Sequence, residues 1–482
     1  MKNFTSSNTI LKRKSSLISI KKKISHQLVE CQLEHHKYLF SLIILSLTKQ
    51  QLIFTGRLKA GSLPHSLKHS RLHLLTLKSD KENMQSGRGN EVFDVIIVGG
   101  GVMGSATAYH AAKRGLRTLL LEQFDFLHHR GSSHGESRTI RATYPQHHYY
   151  PLVMESYTLW QQAQAQIGYT VYFPAHHLDI GPAQDPILRA VIDNCRRHAM
   201  PHEVLNRRQL ASKFPGRIDM PDDWIGIFNR LGGIIKPTKA VAMFQSLAHK
   251  YGAVLKDKAE VIDVKKDGEN GVVVFTSNGE SYRGRKCVVT VGAWVNKLVK
   301  KVSGVELPIQ PLETHVFYWR VKEGHEGDFA VGGDFPTFAS CTGEGGIYVY
   351  GTPSLEFPGL VKVAVHGGNP VDPDKRPWGS GYRVQDLKKW IQQTFMGLVD
   401  SSEPVVKQAC MYSMTPDEDF IVDFLGGEFG KDVVVGGGFS GHGFKMAPVI
   451  GRVLTELAID GVASGVDIKP FRISRFSMNS RI

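Results

Sequence analysis

The chain has 482 residues and a net charge of +14, a length that allows two or three domains around a sizeable core. The charge is uneven: residues 1–83 hold 15 Lys/Arg against 4 Asp/Glu, so the remainder is nearly balanced and offers no argument for a nucleic-acid or anionic membrane partner. Cys31, Cys195, Cys287, Cys341 and Cys410 are widely spaced with no C-x-x-C, which speaks against a disulfide framework and a structural zinc site.

Taken in chain order, residues 1–83 carry Lys12-Arg13-Lys14, Lys21-Lys22-Lys23 and an apolar run from Tyr38 to Leu47. That run is too short to span a bilayer, and no integral membrane span is expected. The leader is expected to be disordered or absent from the mature protein, with Met84 as the working start. An organelle transit peptide is the alternative.

Phe93-Asp94-Val95-Ile96-Ile97-Val98 reads as a buried parallel strand. Gly99, Gly101 and Gly104 follow in a G-x-G-x-x-G pattern. Ala106, Ala108, Ala111 and Ala112 then mark a small-residue helix that can pack close to a sheet. Thr118 to Leu121 reads as a second strand, ending at Glu122. Together these form a dinucleotide-binding unit: the glycines admit a pyrophosphate, the helix N-terminus stabilises its charge, and the acid takes ribose hydroxyls.

A polar stretch from Arg130 to Arg141 follows, then mixed helices and turns to about residue 225. An amphipathic helix is expected over Ala240–Tyr251. Strands are expected over Glu260–Val264, Val272–Thr276 and Cys287–Val291, with a hairpin turn at Ser277-Asn278-Gly279-Glu280. A strand-rich region occupies about 310–405. Val433-Val434-Val435 then runs into the glycine cluster Gly436–Gly443, and a helix is expected from about Ala447 to Ile459.

Nucleotide-type elements at both ends of the body imply a discontinuous cofactor domain, which suits a large FAD better than a compact NAD module. The expected architecture is α/β. A Rossmann-type FAD-binding domain is built from 91–145, 226–308 and 405–473, and a second, sheet-based substrate domain from 146–225 and 309–404.

Several residues admit two readings. Cys410 is either a buried apolar thiol or a reactive one. Lys445, beyond the late glycine cluster, is either a surface charge or a cation for a substrate carboxylate. Arg138 and Arg141 lie three apart, which on a helix places both on one face. His134 is a loop residue or a donor to a bound group. Lys362, among Leu360, Val361, Val363, Ala364 and Val365, is an edge-strand charge or a buried amine.

Three motifs join the fingerprint in order: Gly131-Ser132-Ser133-His134-Gly135 with Arg138 and Arg141; Cys410-Met411-Tyr412; and Gly438-Phe439-Ser440-Gly441-His442-Gly443-Phe444-Lys445. From about Phe93 to Ile473 the chain resembles the monomeric sarcosine oxidase and pipecolate oxidase family of flavin-dependent amine oxidases. The resemblance implies FAD joined through its 8-methyl carbon to Cys410, with Gly438, Gly441 and Gly443 in the cofactor site. It implies a substrate carboxylate clamp of Arg141 and Lys445. His134 and Arg138 would lie beside the flavin, with Tyr350 and His366 on the substrate sheet and Lys362 promoting reaction with O2. The implied activity oxidises a small secondary amino acid to an imine and reduces O2 to H2O2. A flavin dehydrogenase feeding a quinone or carrier protein is the alternative. After Tyr412, Ser413-Met414-Thr415-Pro416 departs from the bacterial pattern and leaves substrate choice open. A monomer is expected. The terminal Ser480-Arg481-Ile482 resembles a peroxisomal address; a plastid or mitochondrion is the destination if the basic leader acts.

Overall fold

The computed structural model describes residues 91–341, 346–375 and 381–476. The expected leader, Met84 and the terminal Ser480-Arg481-Ile482 lie outside them.

Two sheets organise the body. In the first, eight-stranded sheet the order is Ile421–Phe424, Val433–Gly437, Ser281–Val289, Val92–Val98, Thr118–Leu121 and Val254–Lys256. From Val433–Gly437 to Val254–Lys256 the pairings are parallel. Apolar, β-branched runs suit strands covered on both faces, and Val95 to Val98 and Leu119 to Leu121 are all buried. Val261–Lys266 and Val272–Thr276 attach as an antiparallel extension, and the turn at Ser277–Glu280 joins the latter to Ser281–Val289 as expected.

The helix Val102–Lys113 packs between Pro237–Lys250 and Ala447–Asp460. Its alanines make this close approach possible: Ala106, Ala108, Ala111 and Ala112 are all buried. The Pro237–Lys250 helix starts three residues earlier than expected because Pro237 occupies its first turn, where a missing N–H costs nothing.

The second sheet has ten strands. Its path runs Asn369–Pro370, Gln310–Arg320, Leu360–Val365, Tyr348–Thr352, Thr337–Cys341, Tyr172–Pro182, Trp224–Ile235 and Arg138–Arg141. Val406–Met414 pairs with Gln310–Arg320 over nine residues, setting Cys410 opposite Thr314.

Three strands within the segments expected to build the FAD-binding domain belong to this second sheet: Arg138–Arg141, Trp224–Ile235 and Val406–Met414. Each pairs with a strand distant in sequence, which local pattern does not encode. Arg138 to Arg141 is itself a strand rather than a helix turn. It pairs with Trp224–Ile235, so strand pairing rather than a shared helix face positions its two arginines.

Candidate active site

A cavity of about 910 Å³ lies at the carboxyl ends of the parallel strands and reaches the second sheet. Ligands bind at this edge of open α/β sheets. At one end, Gly99, Gly100 and Gly101 line the cavity with Val102, the first residue of the helix. Gly100 N–H donates to Glu122 Oε2 at 2.7 Å, and Phe124 N–H to Glu122 Oε1 at 2.9 Å. The acid is thus fixed beside the glycine turn. Gly104 does not line the cavity. A Cβ there would collide with the Gly99 carbonyl oxygen, so its lack of a side chain sets the helix against the turn.

The other end holds the charged residues. Arg138 Nη2 donates to Ser132 O at 3.0 Å and His134 O at 2.7 Å, and lies 3.5 Å from Cys410 Sγ. The guanidinium therefore ties the Ser132–His134 loop to the strand that carries Cys410. Cys410 is a free thiol with a relative exposure of 6%.

Lys362 is interior, on a strand flanked on both sides, with a relative exposure of 2%. Its Nζ donates to Ser137 O at 2.9 Å and lies 5.5 Å from the centre of the Tyr350 ring. Burial first, and then nearby Arg138, pull its ammonium down to about 7.

Arg141 and Lys445 converge on one group of aromatic residues. Arg141 Nη2 donates to Tyr348 Oη at 3.2 Å, and its guanidinium lies 4.5 Å from the Tyr144 ring centre. Lys445 Nζ donates to Tyr144 Oη and to His442 O, each at 2.9 Å. Both lysine partners are neutral acceptors. Burial and the Arg141 charge hold its ammonium well below the usual lysine range. Trp160 Nε1 donates to Lys445 O at 2.8 Å, so the helix Tyr149–Ile167 anchors this turn. His366, just past Leu360–Val365, is lowered to about 4 by burial, then by Lys445 and Arg141. It is a neutral imidazole at physiological pH.

One cavity therefore brings together Gly99, Gly101, Glu122, His134, Arg138, Arg141, Tyr350, Lys362, His366, Cys410, Gly441, Gly443 and Lys445. Gly438 stands apart with Gly104 as a packing glycine: its φ is +59°, and a Cβ would press on Thr415. Gly441 does face the cavity, and a Cβ there would come within 2.8 Å of His366 and Tyr412.

Tyr144, Tyr348, Tyr412 and His442 also line the cavity, and the sequence reading gave them no role. Strand alternation carried the signal for two of them. Tyr348 lies two residues from Tyr350, and Tyr412 two from Cys410, so each shares a face with a residue already singled out. Tyr412 Oη donates to Tyr350 Oη at 3.3 Å. His442 lies inside the glycine motif.

The cavity suits a large polar cofactor. Thr139 Oγ1 and Thr314 Oγ1 are buried without a hydrogen-bond partner among the described residues, and both line the cavity. Orphaned hydroxyls of this kind mark where a ligand supplies the missing partner. Glycine backbone at one end and free Cys410 near the other match a dinucleotide bearing a reactive ring.

Residues 94–457 match the family model described as FAD dependent oxidoreductase. A probable sarcosine oxidase of Arabidopsis thaliana is 59% identical over 393 residues, spanning 81% of this chain and 94% of that protein. The peroxisomal sarcosine oxidase of Homo sapiens is 36% identical over 80% of this chain and 97% of its own. Among solved structures, the open form of NikD, described as an unusual amino acid oxidase, aligns with a TM-score of 0.68 at 24% identity. That alignment covers 80% of this chain and 98% of NikD. Fingerprint, two-sheet fold and relatives agree: the chain belongs to the FAD-dependent oxidoreductases, in the sarcosine oxidase family.

Proposed function

We propose that this protein is an FAD-dependent oxidase of small secondary amino acids, such as sarcosine, pipecolate or other N-methyl amino acids. When bound, FAD would supply the two-electron chemistry that oxidises the amine's carbon–nitrogen bond to an imine and reduces O2 to H2O2. The observation that carries this reading is the placement of two basic side chains, half-buried Arg141 and buried Lys445, in the same cavity as Cys410 and Lys362.

Arg141 and Lys445 bind the substrate carboxylate. Hydrogen bonds to a charged group contribute about 1.5–3 kcal/mol each, so the pair fixes the substrate's orientation. Tyr144 and Tyr348 hold the two cations in place. Tyr350 and neutral His366 line the pocket on the substrate side. Cys410 would be the point of covalent attachment to the flavin, and Arg138 and His134 would help to hold it. Lys362, held by Ser137 O, supplies positive charge where O2 gains electrons. A buried lysine in that role supports oxygen, rather than a carrier protein, as the acceptor.

The protein acts as a monomer, and its Ser480-Arg481-Ile482 tail directs it to the peroxisome. Relatives in Homo sapiens and Mus musculus are described as peroxisomal, which supports the address. A fluorescent protein carrying this tail should reach peroxisomes; a diffuse distribution would refute the address.

Screening the holoenzyme for peroxide against sarcosine, pipecolate, proline and N-methyl amino acids tests the activity. Turnover of at least one secondary amino acid is expected, and failure on all of them would overturn the reading.

A further inference from the structure

Behind Arg141 lies a layer of buried polar groups to which the proposed oxidation assigns no role. His177 and Asp179 are two residues apart on Tyr172–Pro182, so they share a face. Register sets His177 beside Thr337 and Asp179 beside Ala339, which pairs in turn with Tyr350. His177, Ala339 and Tyr350 line the cavity, so Asp179 stands on the cavity side of the sheet. It is buried, with a relative exposure of 4%.

Asp179 Oδ1 lies 3.3 Å from His177 Nε2, and His177 Nδ1 lies 2.9 Å from Thr337 Oγ1. Thr143 links the pair to the clamp: it lies against Asp179 and accepts from Arg141 Nη1 at 3.5 Å. Burial alone would push the Asp179 carboxyl up, but His177 and Arg141 outweigh it and hold the group below the usual carboxylate range. Burial pushes the His177 imidazole down. Asp179 thus places a buried carboxylate behind the clamp.

Inside a dry site, each buried charge needs a partner. Arg141 and Lys445 are two cationic groups, and Asp179 balances one of them. An arriving carboxylate favours the ammonium form of Lys445 and completes the balance. Arg138 and Lys362, which also line the cavity, are held on Ser132 O, His134 O and Ser137 O, so a second carboxylate at the clamp would meet no positive charge beyond Arg141 and Lys445. We propose that Asp179, held by His177, is a built-in counter-ion to Arg141 that restricts the site to substrates bearing a single carboxylate. This rests on reading Arg141 and Lys445 as the carboxylate clamp. Asp179 is a positioning residue, acting through Arg141.

The test uses two unreactive ethers, methoxyacetate with one carboxylate and oxydiacetate with two. Binding to the holoenzyme is followed by the change in flavin absorbance. The wild-type protein should bind methoxyacetate more tightly by about tenfold or more, since the second charge is uncompensated. Asp179→Asn keeps size and hydrogen bonding but removes the charge. It should tighten methoxyacetate severalfold and oxydiacetate by a larger factor, because two carboxylates rather than one are relieved of its repulsion. A purely structural role would weaken both ligands equally, and an unchanged ratio between them would overturn the proposal. If the variant does not fold, the wild-type protein decides alone, and equal affinity for the two ethers overturns it. Failure of methoxyacetate to bind the wild-type protein would overturn the clamp, and the counter-ion with it.

Discussion

Lys362 is where burial and chemistry meet at a single residue. Its ammonium, pulled down to about 7, loses its charge as pH rises through that value. In the role proposed for Lys362, the charged form stabilises electrons arriving on O2, so oxidation of the reduced enzyme should slow as pH climbs above about 7. Lys362→Met should slow that step by about a hundredfold, the scale seen when one preorganised electrostatic group is removed. Flavin reduction by substrate should change far less. Stopped-flow mixing of reduced enzyme with O2 measures the first, and anaerobic mixing with substrate the second; equal losses in both would count against the assignment. At the clamp, Lys445→Met removes one charge-assisted contact, and KM should rise about 10- to 100-fold. Cys410→Ser should release its flavin into the supernatant on acid precipitation, whereas the wild-type flavin should stay with the protein pellet.

At the scale of elements, the strand–glycine–helix unit depends on contact without side chains. A Cβ at Gly104 would strike the Gly99 carbonyl oxygen, and backbone cannot move aside as a side-chain tip can. Gly104→Ala should destabilise the protein by about 1–3 kcal/mol, the usual cost of overpacking, and reduce its flavin content; thermal unfolding and the ratio of flavin to protein absorbance measure both. This unit was legible in the sequence because every part of its signal is local: apolar run, glycine spacing, alanine helix, acid. The late element Val433–Gly437 and its helix were legible for the same reason. Sheet membership was not. Arg138–Arg141 is four residues long and gains its strand conformation from Trp224–Ile235, more than 80 positions away in sequence. The buried state of Lys362 likewise depends on both flanking strands, so its surroundings left two readings open. Asp179 carried no local signal, since one acid in an ordinary strand looks like surface until its neighbours are known.

For the molecule as a whole, buried neutral groups set the response to pH. His110 is lowered to about 3, chiefly by burial, and His366 to about 4. His177 and His442 shift the same way. Between pH 6.5 and 4 the unfolded chain takes up protons that the folded state refuses, so stability falls as pH falls. His110 and His366 each contribute about 1.4 kcal/mol per pH unit in that window. Lys362 acts with the same sign at higher pH: between about 7 and its ordinary value the unfolded chain holds the extra proton, so stability rises with pH. Urea unfolding across the pH range should show both slopes, and His110→Gln should flatten the acidic one. A folded state equally stable at pH 4.5 and 6.5 would contradict the burial of these imidazoles.

Both sheets meet at one cavity so that a secondary amine, a flavin and O2 can be handled in the same place. The most direct test supplies the purified flavin-loaded protein with sarcosine and pipecolate in air-saturated buffer and follows O2 and H2O2 together. For at least one of the two, formation of one H2O2 for each O2 consumed, matched by loss of the amine, is the expected result. Turnover only when an artificial electron acceptor is added, without O2 uptake, would contradict an oxidase.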